Sequence, residues 1–108
     1  MSNVNNPTSP LASEITTQND VTASRNTTGG VYQNTNTKPM FVSETSTLPT
    51  TASATAYSDS AANPTTIVAI LSNANLTAQY FQICFWVLPG NYYKITGNQT
   101  PVKWFEYV

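Results

Sequence analysis

The chain has 108 residues, only 8% of them charged, a formal net charge of −1 and no histidine. Its cations, Arg25, Lys38, Lys94 and Lys103, are scattered singly, which excludes the clustered positive charge that nucleic acid binding depends on. No apolar run approaches the roughly 18 residues that cross a bilayer as a helix, and a single cysteine, Cys84, leaves no internal disulfide to support a small core.

Residues 1–30 contain no aromatic side chain, whereas all twelve lie between Tyr32 and Tyr107. A segment without large apolar groups has little to offset the entropy of ordering. The composition therefore divides the chain into an extended polar N-terminal arm, 1–30, and a compact domain, 31–108. Pro7 and Pro10 oppose regular structure in the arm, Ser9-Pro10 can open a short helical turn over Leu11 to Ile15, and Gly29-Gly30 marks the boundary. An arm of this kind orders on a partner. It shows no basic and apolar pattern of a secretory signal, so the chain is expected to be soluble as made, in a cytoplasm.

From Val31 onward, abundant Thr, Ala, Val and Tyr favour strands over helices. Val31 to Gln33 reads as a short strand and Asn34-Thr35-Asn36 as a tight turn. Pro39 to Thr47 follows, with Met40 and Val42 on one face and Phe41 and Ser43 on the other. Leu48-Pro49 breaks it. Residues 51–58 and 65–71 read as two further strands joined through Ala61 to Pro64. The strongest strand is Gln79 to Leu88, with Phe81, Ile83, Phe85 and Val87 on one face and Tyr80, Cys84, Trp86 and Leu88 on the other.

Leu88-Pro89-Gly90-Asn91 has the form of a type II turn, with Gly taking positive φ, and Tyr92 to Thr96 is expected to return beside the preceding strand as a hairpin. Gly97 to Thr100 turns again, and Pro101 to Val108 closes the chain with Trp104, Phe105 and Tyr107. The pattern predicts an all-β fold, a small antiparallel β-sandwich or barrel of about seven short strands. A strand apolar on both faces must be covered on both, by a second sheet or by a neighbouring subunit. Tyr80, Trp86, Leu88 and Trp104 are accordingly the candidate oligomer interface.

Chemistry is sparse. Glu14, Asp20, Glu44, Asp59 and Glu106 stand far apart, without the density of a calcium loop. Cys84, set among Phe81, Ile83, Phe85 and Trp86, reads as a buried structural thiol. The glycosylation pattern at Asn26, Asn75 and Asn98 is no more frequent than so many Asn, Ser and Thr produce by chance. Nothing points to catalysis, a metal or a cofactor. The aromatic cluster can serve as core, as subunit interface, or as a sugar-stacking platform in which Asn91, Tyr92 and Tyr93 touch glycan.

Three stretches carry a resemblance: Val31 to Thr35 leading to Lys38-Pro39-Met40-Phe41-Val42; Phe85 to Ile95 across Leu88-Pro89-Gly90-Asn91-Tyr92-Tyr93; and Lys103-Trp104-Phe105-Glu106-Tyr107. Together they resemble a small β-domain of tailed-bacteriophage virion proteins, found at the C-terminal ends of tail-fibre or appendage proteins and as short separate virion proteins. The likeness covers most of 31–108 and none of the arm. Where that family leads one to expect Pro-Pro-Gly before the Tyr pair, this chain has Leu88-Pro89-Gly90.

The resemblance implies a non-enzymatic virion surface protein of the capsid decoration or head-fibre type. It would be made in the host cytoplasm and associate with itself as a homotrimer. Residues 1–30 would grip the major capsid protein while the β-domain projects outward. The alternative it implies is a receptor-binding tail-fibre tip recognising host surface glycan or protein through Asn91, Tyr92 and Tyr93 and the loops around Ala61 to Pro64 and Gly97 to Thr100. Neither reading involves nucleic acid, membrane or cofactor.

Overall fold

The computed structural model describes residues 15–108; the first 14 residues, and with them most of the expected turn over Leu11 to Ile15, lie outside the described part. Eight strands form: β1 (Gln18–Asp20), β2 (Tyr32–Gln33), β3 (Met40–Leu48), β4 (Ser53–Asp59), β5 (Ile67–Ser72), β6 (Gln79–Val87), β7 (Tyr92–Gly97) and β8 (Thr100–Tyr107), with one short 3-10 turn at Thr22–Ser24. They build two four-stranded sheets, β1-β8-β3-β6 and β2-β7-β4-β5, in which every pair is antiparallel. The fold is an all-β sandwich.

The core lies between the sheets. Alternation places Met40 and Val42 of β3, Ile83, Phe85 and Val87 of β6 and Trp104 of β8 on the inner face of the first sheet, against Ala56, Tyr93 and Ile95 of the second. Each large side chain removed from water in this way contributes about 1.5–3 kcal/mol.

The chain changes sheet at most of its turns, and Leu88 to Asn91 shows why. Gly90 has φ +81° and the Asn91 amide donates to the Leu88 carbonyl at 3.0 Å, as a type II turn requires. Such a turn does not share the twist of a strand pair and splays its flanks apart. The expected hairpin therefore does not form: β6 pairs with β3 in the first sheet, while β7 crosses to the second and pairs with β2 and β4.

Part of the predicted arm also belongs to the sandwich. β1 pairs with β8, Val21 packs on the core, Thr27 is buried, and Arg25 is ion-paired to Glu106. The composition of 15–30 hides this, because its three-residue strand is wholly polar and its contribution is hydrogen bonds rather than apolar area.

The two halves of the sandwich repeat one another. Asn34 and Asn73, 39 positions apart, are both buried and hold equivalent turns. Asn34 donates Nδ2 to the Lys38 and Val87 carbonyls, Asn73 to those of Thr77 and Leu48, and each Oδ1 accepts the amide two residues on. Their backbone amides reach across to Asn91 and Ala52, which also bear that offset. Strand registers obey it too: Met40 opposes Val87 as Leu48 opposes Gln79, and Tyr32 opposes Tyr93 as Leu71 opposes Ala54. A pseudo-twofold axis thus passes between Glu44 and Ile83 in one sheet and between Ala56 and Ile95 in the other. β8 departs from it, lying beside β3 with no counterpart beside β6 among the described residues.

Candidate functional site: the outer face of the first sheet

Strand alternation that buries Val42, Phe85 and Trp104 turns their neighbours outward. Phe41 of β3 stands between its register partners Trp86 of β6 and Tyr107 of β8, with ring centroids 4.9 and 6.1 Å away. This aromatic row, with Ser43, Gln82 and Ile15, lines an open groove of about 410 Å3. Gln82 Nε2 donates to Ser43 Oγ at 2.7 Å and fixes the polar side of the groove. Along the same side of the sheet, Tyr80 is 75% exposed, Trp86 42% and Leu88 59%. The second sheet therefore covers the odd positions of β6 and leaves the even ones open.

Of the four interface candidates, Tyr80, Trp86 and Leu88 share this surface. Trp104 does not: opposite Glu44 in the β3–β8 register it points inward and is fully buried, so it belongs to the core of one subunit. Cys84 is likewise relocated, its thiol exposed on the outer face rather than buried, because it falls on the even side of β6.

The stacking candidates also separate. Tyr93 is fully buried, whereas Asn91 and Tyr92 are half-buried at the start of β7. The loop after β4 meets this end of the sandwich, since Asp59 opposes Tyr92 and Lys94 Nζ donates to Asn63 Oδ1 at 2.9 Å. The Asp59 carboxylate accepts the amides of Ala61, Thr65 and Thr66, which hold its pKa down to about 2 and shape the loop. Gly97 to Thr100 lies at the opposite end, beside Ala54, and cannot share a ligand with Asn91.

A polar network in the interior accounts for Tyr93. Its hydroxyl donates a short hydrogen bond to Glu106 and accepts one from Trp104 Nε1 at 3.1 Å. Arg25 clamps the same carboxylate through Nε and Nη2 at 3.0 and 3.1 Å, and its guanidinium stacks 4.2 Å over the Tyr32 ring. Burial, together with the negative Glu106, pushes the Tyr93 phenol above its usual range, so it stays a donor. Enclosed and fully bonded, the network pins residues 25–32 to the sandwich. Among the described residues no three His, Cys, Asp or Glu side chains gather to hold a metal ion. Sequence reasoning missed this network and the two buried Asn clamps; only the repeated Asn-x-Asn at 34–36 and 73–75 signalled the latter.

Comparison of the chain with protein-family models, with curated proteins and with solved structures finds no match.

Proposed function

We propose that this chain is a non-enzymatic bacteriophage virion structural protein of the capsid decoration or head-fibre type. Three copies associate through the outer face of the first sheet. The observation that carries the reading is the outward-facing aromatic row of exposed Trp86 and half-buried Phe41 and Tyr107, with exposed Tyr80 and Leu88 beside it, an apolar surface of the kind that marks an interaction site. The resemblance of 31–108 to phage virion β-domains names the setting. Ile15, the first described residue, lines the groove on that face, the side proposed to meet other subunits or the shell. The anchor is correspondingly shorter than composition suggests, because Thr16 to Thr22 and Arg25 are engaged with β8 and Val108.

Co-sedimentation of the full chain with empty phage shells tests this, beside a chain starting at Ile15. Binding by the first and not the second supports the anchor; equal binding by both rejects it, and binding by neither rejects the capsid assignment. A second reading, recognition of a host surface, is favoured by the convergence of Asn91, Tyr92 and the loop after Asp59 at one end of the sandwich. Binding of the chain to host cells, lost on Tyr92→Ala, supports that reading instead.

A further inference from the structure

The pseudo-twofold of the sandwich leaves one place empty. β8 lies antiparallel beside β3, and its Trp104 covers Tyr32 of β2 in the sheet below, with centroids 6.1 Å apart. Rotation about the axis carries β3 onto β6 and Tyr32 onto Leu71 of β5. Beside β6, over β5, no strand pairs among the described residues. Ala69 and Leu71 there, opposite the buried Ala56 and Ala54, are only partly buried. The nine-residue edge of β6 also carries no Lys, no Pro and no bulge, the devices by which open edges are normally guarded.

We infer that the free edge of β6 is a seat for one antiparallel strand from an extended segment of a partner protein, taken in the position that β8 occupies beside β3. The geometry specifies the occupant. Mapped through the axis, the β3–β8 register places its residues opposite Tyr80 to Trp86, a stretch of about seven. Those opposite Phe81, Ile83 and Phe85 point down onto β5 and must be apolar; the others face out beside Tyr80 and Trp86. With no charged residue in β5 or β6, the occupant is uncharged along its inner side.

The edge of a second folded copy does not fit. Antiparallel pairing of β6 with β6 of another copy requires a twofold axis normal to the sheet. Because β5 projects one strand beyond β6, that axis would drive β5 of each copy onto β4 of the other. Only a strand that arrives without a sheet beneath it can enter, which is strand addition by an extended chain. This inference rests on the topology and is independent of the virion assignment.

The test uses the full chain and, as probe, a synthetic peptide of residues 98–108 carrying Glu106→Val, whose alternation fits the seat. Two further versions are N-methylated, one at the odd and one at the even positions of the strand. Hydrogen exchange of β6 in the dilute chain should show rapid exchange at alternate amides, slowed at least tenfold by the parent peptide. One methylated version should bind as the parent does, and the other at least about tenfold more weakly, since its hydrogen bonds to the β6 edge are lost. Equal binding by both versions, or no slowing of β6 amides by the parent, overturns strand addition. Protection of those amides in the dilute chain alone would mean that the chain's own N-terminal segment fills the seat, and overturns the assignment to a partner.

Discussion

Glu44 makes the stability of this protein depend on pH in an unusual direction. It lies fully buried beside the pseudo-twofold axis. Its Oε1 accepts a long 3.4 Å bond from Ser46, and the buried Gln99 amide beside it makes no hydrogen bond of ordinary geometry with Oε2 and so offsets little of the burial. Burial pushes its pKa up from 4.5 to about 7. A carboxyl raised in the folded state stabilises it fully below the unfolded value, and that contribution is lost as pH rises from about 4.5 through 7. The difference, about 2.5 units at 1.36 kcal/mol each, amounts to about 3 kcal/mol. Urea denaturation at pH 4.5 and pH 8, at one protein concentration, should show the midpoint falling by roughly 2 M toward the higher pH, with Glu44→Gln flat across the same range. A wild-type midpoint that rises or stays level between these values, or a Glu44→Gln variant with the same slope, would refute a neutral buried carboxyl. Asp20 and Asp59, both held down to about 2 by hydrogen bonds from their own loops, act in the opposite sense and only in strong acid.

Removing the clamp with Arg25→Ala leaves Glu106 and the Tyr93 hydroxyl enclosed without their cation and should cost about 3 kcal/mol in the same assay. Asn34→Ala and Asn73→Ala each strand buried carbonyls at equivalent turns, and each should cost roughly 1–3 kcal/mol; a loss confined to one of them would contradict the equivalence of the halves. Gly90→Ala meets no atom within 4 Å but must hold φ +81°, so thermal unfolding should fall by the equivalent of roughly 1–2 kcal/mol. Trp86→Ala, on the outer face, should leave the fold intact while lowering the mass in solution toward that of a single chain.

Much of the sandwich is legible because alternation is strong where both sheets need it. β6 presents an inner face of Phe81, Ile83, Phe85 and Val87, β3 one that is apolar or small but for Glu44, and their bounds follow from Leu48-Pro49 and Pro89-Gly90. Adjacent aromatics are ambiguous for the same reason. In Tyr92-Tyr93 and Trp104-Phe105 two large rings stand on opposite faces, and only the register against β4 and β3 decides that Tyr93 and Trp104 go inward. β1 leaves no apolar trace, being three polar residues whose partners lie 85 to 89 positions away. The internal repeat is hidden because its symmetry resides in registers and in two Asn clamps, while the core residues on either side of the axis, Glu44 and Ile83 among them, differ in kind.

If the outer aromatic row is the contact between subunits, it is covered when the protein is assembled. Electron cryo-microscopy of phage shells incubated with the full chain should show the sandwich projecting from the shell surface in groups of three, with Trp86 and Tyr80 of each copy against a neighbour. Shells without such density, or copies whose Trp86 faces solvent, would contradict it.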